Sequence, residues 1–389
     1  MTRAVIAGAA ETTFSRKSEK ADLQFMAEAI RLAMDDTGIP KSDINGIVFC
    51  ANVLPDDSSY MAEHLGLAVN WTMKADYGGA SSVMSIARAV EAIEAGRADV
   101  VVCVGGGNRA DFTDLHHDAV SPPIDYAHRS FILPYGYGGP NSQFGMVQRL
   151  HMETYGTTLE QLGKVSVTFR KHAALNDNAL LRDPMTIDDY INSPLIADPI
   201  RKLDCVMRCA GAIAVIVTSE EYAKKLAKPP IYIGTYAEKH SAGAQDQEPD
   251  RLLTGFIDIR DQLFEKTKRE DLDFMQLYDD YPMAIIKQIE DLGFCDLGQG
   301  GKWVEENDFS LEGPLPINTS GGILSIGQPR LGGGYIPVIE SIRQLRGEAG
   351  PRQIKDAKIG FVSGIGLMSY QTNLVITCGM MLGKEPFND

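Results

Sequence analysis

Ser81-Ser82-Val83-Met84-Ser85-Ile86-Ala87-Arg88-Ala89-Val90-Glu91-Ala92-Ile93-Glu94-Ala95-Gly96, followed closely by Val100-Val101-Val102-Cys103-Val104-Gly105-Gly106-Gly107, sets a helix directly before a strand. Val83, Ile86, Val90 and Ile93 recur at helical spacing, and Gly96 stops the helix. The strand is fully apolar and ends in glycines without a Gly-x-Gly-x-x-Gly frame, which argues against a dinucleotide site. Helix and β-branched run in alternation are the α/β signature.

The alternation extends both ways. Ala4-Val5-Ile6-Ala7-Gly8 is a strand; residues 22–37 carry Leu23, Met26, Ala27, Ile30, Leu32, Ala33 and Met34 as an amphipathic helix that Gly38 ends; residues 44–50 form the next strand. A second half follows the same plan. Residues 230–234 open it as a strand, 251–268 and 282–293 read as helices, 272–277 as a short strand, 334–347 as a helix, and 358–363 and 373–378 close the sheet. Matched order suggests a duplicated βαβ unit, with an N-terminal half over 1–229 and a C-terminal half over 230–389. An insertion over about 107–200, with its clearest helix at 159–176, reads as a lid or substrate pocket.

Composition fits. A chain of 389 residues with 44% hydrophobic and 23% charged content suits two packed halves. Its net charge of −15 argues against nucleic acid or an anionic membrane as the main partner. No apolar run reaches the ~18 residues of a membrane span, and the N-terminus reads as a strand start rather than a signal peptide. The six cysteines are scattered and suit a reducing cytosol; Cys50 and Cys103 read as buried strand positions. Cys205 and Cys209 lack a second pair nearby, so no metal site is expected. His116-His117-Asp118 reads as a surface loop, and Tyr135-Gly136-Tyr137-Gly138-Gly139-Pro140 has the flexibility of a binding loop.

Several stretches resemble the thiolase superfamily in its sterol-carrier/lipid-transfer branch: Tyr155-Gly156-Thr157-Thr158-Leu159-Glu160-Gln161-Leu162, Ser193-Pro194-Leu195-Ile196-Ala197-Asp198-Pro199, Gly211-Ala212-Ile213-Ala214, Asn318-Thr319-Ser320-Gly321-Gly322 and Gln344-Leu345-Arg346-Gly347-Glu348-Ala349-Gly350-Pro351. The resemblance implies a five-layer αβαβα thiolase fold, a homodimer and acyl-CoA substrates. It implies coenzyme A as part of the substrate, no cofactor bound by this chain, and a separate zinc-ribbon/OB-fold partner protein in the cytoplasm.

Against that frame the reactive side chains are replaced. The nucleophile segment is Gly78-Gly79-Ala80-Ser81-Ser82, with alanine for cysteine; the Gly-His-Pro triplet is Gly327-Gln328-Pro329; and the second family cysteine falls at Ser363 or Gly364. Alanine cannot be acylated, and glutamine is no base near neutral pH. Ser81 with Ser82 reads as a helix cap, or Ser81 as a substitute nucleophile lacking a base. The His-Asp-Cys-Phe-like segment becomes Tyr278-Asp279-Asp280-Tyr281, followed by Glu290-Asp291-Leu292-Gly293-Phe294-Cys295. This is similar to cysteine-less thiolase-like aldolases of steroid side-chain degradation. The similarity implies retro-aldol cleavage of a β-hydroxyacyl-CoA to a ketone or aldehyde and a shorter acyl-CoA, with Tyr278 and Tyr335 as the catalytic tyrosines. Backbone N–H groups around Ala80 and Ser81, with Gln328, are the expected donors to the enolate. Asp279, adjacent to Tyr278, is expected to point to the opposite face. Arg170, Lys171 and His172 are candidates for the coenzyme A phosphates, though consecutive helical residues do not share a face. Tyr278 also admits a plain reading as a buried strand residue. Three other functions stay open: a non-catalytic subunit, an acyltransferase with Ser81 or Cys209 as displaced nucleophile, and an acyl-CoA carrier.

Overall fold

A computed structural model describes residues 2–50, 58–109, 130, 133–136, 139–240, 250–366 and 376–387. His116-His117-Asp118, Tyr137, Gly138 and residues 373–375 lie outside the described residues.

The strands are β1 (Ala4–Glu11), β2 (Gly46–Cys50), β3 (Trp71–Ala75), β4 (Val100–Gly107), β5 (Leu195–Ala197), β6 (Ile200–Arg201), β7 (Gly211–Ser219), β8 (Ile231–Lys239), β9 (Phe274–Gln276), β10 (Ile359–Gly366) and β11 (Ile376–Gly383). Nine of them form one sheet in the order β3-β2-β4-β7-β1-β8-β11-β10-β9. The duplication is visible in the pairing. β1 runs antiparallel to β7 as β8 does to β11. β4 joins β7 antiparallel as β10 joins β11. β2 adds parallel to β4 as β9 does to β10. The halves are stitched where Val5 meets Tyr232 and Ile6 meets Ile231.

The Ser81–Glu94 helix packs on β2, β4 and β7 and also on β10 and β11; the Tyr335–Arg346 helix likewise touches strands of both halves. These two helices are the central layer of a five-layer αβαβα thiolase fold. The Asp22–Thr37 helix covers β1, β4 and β7 outside, and the Phe256–Leu263 helix covers β8 and β11. Burial follows: ten residues of the Tyr335–Arg346 helix are buried, against six of Asp22–Thr37.

Two expectations change in detail. The strand expected over 100–104 continues through its glycines to Gly107, because a Cβ at Gly106 would stand 2.3 Å from the Gly211 carbonyl on the paired strand. The helix expected over 251–268 shrinks to Phe256–Leu263. Its N-terminal flank is a turn whose Thr254 N–H donates to Asp291, 2.9 Å away.

The insertion supplies the Pro140–Tyr155 and Leu159–Ala174 helices. Leu159–Ala174 packs on Pro282–Asp291, Gly300–Glu306 and Gly322–Ile326. A buried polar network fastens the insertion to the C-terminal half. His151 meets Glu290 at 3.0 Å and Thr157 at 2.8 Å; Lys287 donates to Glu290 at 3.0 Å and Asp291 at 3.3 Å; the Gly300 N–H donates to Glu290 at 2.8 Å. His151, Glu290 and Asp291 are sealed from solvent and Lys287 nearly so. Each carboxylate here has a cation or several donors, as a buried charge requires.

Candidate active site

The β9 ladder ends at Gln276, and side chains take over from backbone beyond it. Asn318, in a left-handed conformation (φ 51), accepts from the Leu277 N–H at 2.6 Å and donates to the Leu277 carbonyl at 2.8 Å. Ser363 Oγ on β10 accepts from the Tyr278 N–H at 2.9 Å, and Gln288 Nε2 donates to the Tyr278 carbonyl at 2.8 Å. Ser363 Oγ in turn donates to Gln288 Oε1. Tyr278 is thereby mounted at both backbone groups, all of them buried.

Its ring lies against the turn where the family keeps its nucleophile. A Cβ on Gly79 would stand 2.0 Å from the ring's Cζ, so glycine there makes room for the phenol. Ala80 is fully buried beneath Gly364, whose own Cβ would reach 2.8 Å from Ala80 Cα. The Gln328 amide nitrogen donates to Tyr278 Oη at 3.0 Å and to Asp280 Oδ1 at 2.9 Å. One amide nitrogen thus brings the Tyr278 hydroxyl and the Asp280 carboxylate together. Phenol and carboxylate share one amide, and the carboxylate fixes which end of the amide faces it, since an amide oxygen there would be repelled. Gln328 is held by its backbone: its N–H donates to the Met207 carbonyl at 2.7 Å, and its carbonyl accepts from the Cys209 N–H at 3.2 Å. Two residues on, Arg330 sits at φ 51 and donates from Nε to the Asn108 carbonyl at 2.9 Å.

Electrostatics divide the cluster. Burial, then the Asp280 charge, holds the Tyr278 phenol well above its ordinary pKa, so it stays protonated. Burial pushes Asp280 up to about 7, partly offset by hydrogen bonds from Tyr278 and Gln328. Protein surrounds Asp280 on most sides, yet it keeps an accessible face. Asp279 turns away, as its strand-end position predicts. Its oxygens accept the N–H groups of Ile323 at 2.8 Å and Leu324 at 3.2 Å.

Tyr278 and Gln328 are therefore brought together, and Asp280, which sequence reasoning passed over, completes the group. The signal was present: in an extended segment residues i and i+2 share a face.

Other expectations are corrected. Tyr335 does not join the cluster: its buried hydroxyl bonds Ser85 Oγ at 2.6 Å and Cys50 Sγ at 3.2 Å in the central layer. The N–H groups of Ala80 and Ser81 are not available to an enolate. They donate to the carbonyls of Tyr77 at 3.3 Å and Gly78 at 3.1 Å. Ser81 is neither the cap nor a primed nucleophile; Ala80 is the N-cap, and Ser81 Oγ locks the preceding turn between the Tyr77 N–H and the Gly78 carbonyl. Ser363 and Gly364 act as mount and packing surface. Cys209 is buried, and burial pushes its thiol up to about 12, the wrong direction for a nucleophile. Arg170, Lys171 and His172 point different ways, as expected of consecutive helical residues. His172 faces the core with Nδ1 at 3.1 Å from the Asn318 carbonyl, Arg170 donates to Ser325 Oγ at 3.2 Å, and Lys171 alone faces outward. Among the described residues no helix is long and apolar enough to cross a membrane.

Comparison with known proteins places this geometry. The family described as "Thiolase, N-terminal domain" matches residues 4–219, and "Thiolase C-terminal domain-like" matches 237–378. A 17-hydroxy-3-oxo-4-pregnene-20-carboxyl-CoA lyase of Mycobacterium tuberculosis is 31% identical, covering 98% of this chain and 99% of the relative. A steroid side-chain-cleaving aldolase of Thermomonospora curvata is 29% identical over 98% of each chain. Among solved structures, an "Ltp2-ChsH2(DUF35) aldolase" superposes with a TM-score of 0.83 at 28% identity, over 98% of both chains.

Proposed function

The chain belongs to the thiolase family, and on that premise we propose that it is an acyl-CoA carbon–carbon lyase. It cleaves a β-hydroxyacyl-CoA by retro-aldol chemistry to a ketone or aldehyde and a shorter acyl-CoA, with no covalent acyl-enzyme. One observation carries the reading: the Tyr278 hydroxyl, held by Gln328, stands against the Gly79–Ala80 turn where an acylable cysteine is missing. A group that exchanges protons has taken the place of one that forms thioesters. Two relatives of full length bear aldolase or CoA-lyase names, which supports the same reaction class.

Retro-aldol cleavage needs a proton acceptor for the β-hydroxyl and a proton donor to the resulting thioester enolate. Tyr278 is the residue we assign to meet the substrate hydroxyl, with Gln328 orienting it. Coenzyme A enters as part of the substrate. The reading also takes the protein as a cytoplasmic homodimer working with a separate zinc-ribbon/OB-fold chain; the solved relative, described as Ltp2 with ChsH2(DUF35), supports a partner subunit. The purified protein, with and without that partner, is tested on β-hydroxyacyl-CoA compounds by mass spectrometry. Carbonyl release without added CoA is expected. Cleavage that needs CoA would return the protein to thiolase chemistry, and absence of turnover in every pairing would make it a non-catalytic subunit.

A further inference from the structure

A neutral phenol can take a proton from a substrate hydroxyl only as it hands on its own, so a second group has to receive that proton. Resting on the retro-aldol reading above, we propose that Asp280 is the proton acceptor of the site, with Tyr278 as the relay between it and the substrate hydroxyl and Gln328 holding both.

The geometry supports each part. The two N–H groups of one amide, Gln328 Nε2, reach the Tyr278 hydroxyl at 3.0 Å and Asp280 Oδ1 at 2.9 Å, which sets phenol and carboxylate beside each other. The phenol oxygen can then accept from a substrate hydroxyl as its own proton passes to the carboxylate, without a free phenolate. Neighbouring groups are committed elsewhere: Asp279 to the Ile323 and Leu324 N–H groups, Tyr335 to Ser85 and Cys50. Among the described residues no cationic side chain pairs with Asp280, so nothing pins it as a permanent anion. Its raised affinity for a proton, near neutrality, matches an acceptor that must also give the proton back.

The step balances. The substrate O–H proton passes to Tyr278 Oη while the Tyr278 proton passes to an Asp280 oxygen. The alkoxide electrons form the C=O bond as the Cα–Cβ bond breaks, and that bonding pair becomes the thioester enolate. Asp280 then returns the proton through Tyr278 to the enolate carbon. The products are a carbonyl compound and a shorter acyl-CoA, and the site is restored with no oxidant, water or free CoA consumed. One station thus serves both proton transfers.

The test compares wild type, Asp280→Asn, Asp280→Glu and Asp280→Ala as full chains, with 17-hydroxy-3-oxo-4-pregnene-20-carboxyl-CoA and 3-hydroxy-3-phenylpropanoyl-CoA as probes. Asp280→Asn should lose about 10²–10⁴ in kcat with KM nearly unchanged, as loss of a general base does. Asp280→Glu should recover part of it, and sodium formate should raise the rate of Asp280→Ala. Thermal unfolding of each variant keeps a folding defect apart from a chemical one. A wild type that cleaves while folded Asp280→Asn keeps its kcat, or a loss that falls on KM alone, overturns the assignment of Asp280. A wild type that, both alone and with the proposed zinc-ribbon/OB-fold partner, cleaves neither probe nor exchanges the α-proton of the shorter acyl-CoA in heavy water overturns the retro-aldol reading itself.

Discussion

Two carboxylates stand at opposite ends of the Pro282–Asp291 helix, Asp280 just before it and Glu290 in its last turn, and their surroundings drive them in opposite directions. Asp280 is pushed up to about 7 by burial. Glu290 would be raised by burial too, but His151 and Lys287 outweigh that and bring it down to about 2. Glu290 is sealed and has a cation; Asp280 keeps an open face and has a phenol and an amide instead. A buried charge with a fixed counter-charge is architecture. One whose partners are neutral hydrogen-bonding groups is poised to change protonation state. The contrast separates the residues that hold the insertion in place from those to which we assign the chemistry.

The contrast can be broken at either end. Removing the phenol oxygen with Tyr278→Phe should lower kcat by about 10²–10⁴ while leaving the unfolding midpoint nearly unchanged, because the lost group lies at a site rather than in a network of paired charges. A matched loss of stability would move Tyr278 to the architectural side. The pH–rate profile should follow Asp280. The groups in contact with it are Tyr278 and Gln328, and Tyr278 stays neutral; Asp279 faces away, onto the Ile323 and Leu324 N–H groups. The acceptor works as the anion, so kcat should rise as pH rises through about 7. A flat profile from pH 5 to 9 would count against it.

At the other end, Glu290→Gln should reduce stability at neutral pH by about 3–5 kcal/mol, because it removes one carboxylate from the buried Lys287. The sign follows from the lowered pKa. The unfolded chain binds the proton more readily, so the stabilisation is complete above the ordinary carboxylate range near 4.5 and is lost as pH falls towards 2. Urea unfolding of wild type and variant should therefore converge over that window. Ser363→Ala, which leaves the Tyr278 N–H without its acceptor, should cost about 1–3 kcal/mol and lower kcat as the phenol loses its mount. Smallest of all, Ala80→Cys should produce no CoA-dependent acyl transfer, since Gln328 cannot draw the thiol's proton; an acyl-enzyme detected on the intact variant would contradict this.

The fold was largely legible in the sequence. The helix read over 22–37 is observed as Asp22–Thr37, because its apolar spacing and the following Gly38 state both face and end. Tyr278 and Gln328 were legible because family glycines and a proline frame them. Asp280 was overlooked in favour of its neighbour Asp279, although alternation along an extended segment puts Tyr278 and Asp280 on one face. His172 carried its own warning: with Leu162, Val165 and Phe169 it falls on the buried stripe of its helix, away from any phosphate. Tyr335 was not legible in this way. Only the crossing of two central helices brings its hydroxyl to Ser85, a contact between distant segments that local pattern does not encode. Likewise Lys287 and Glu290 look like an ordinary surface pair at helical spacing, and only the docking of the insertion buries them.

The central claim is that this site breaks a carbon–carbon bond by proton transfer alone. The most direct measurement incubates the protein, with and without the proposed zinc-ribbon/OB-fold partner, with 17-hydroxy-3-oxo-4-pregnene-20-carboxyl-CoA and 3-hydroxy-3-phenylpropanoyl-CoA. Free CoA is absent, Tyr278→Phe is run alongside, and the carbonyl product and shorter acyl-CoA are quantified by mass spectrometry. The account predicts equimolar products from wild type and almost none from Tyr278→Phe; product that appears only when CoA is added, or equally in both proteins, would contradict it.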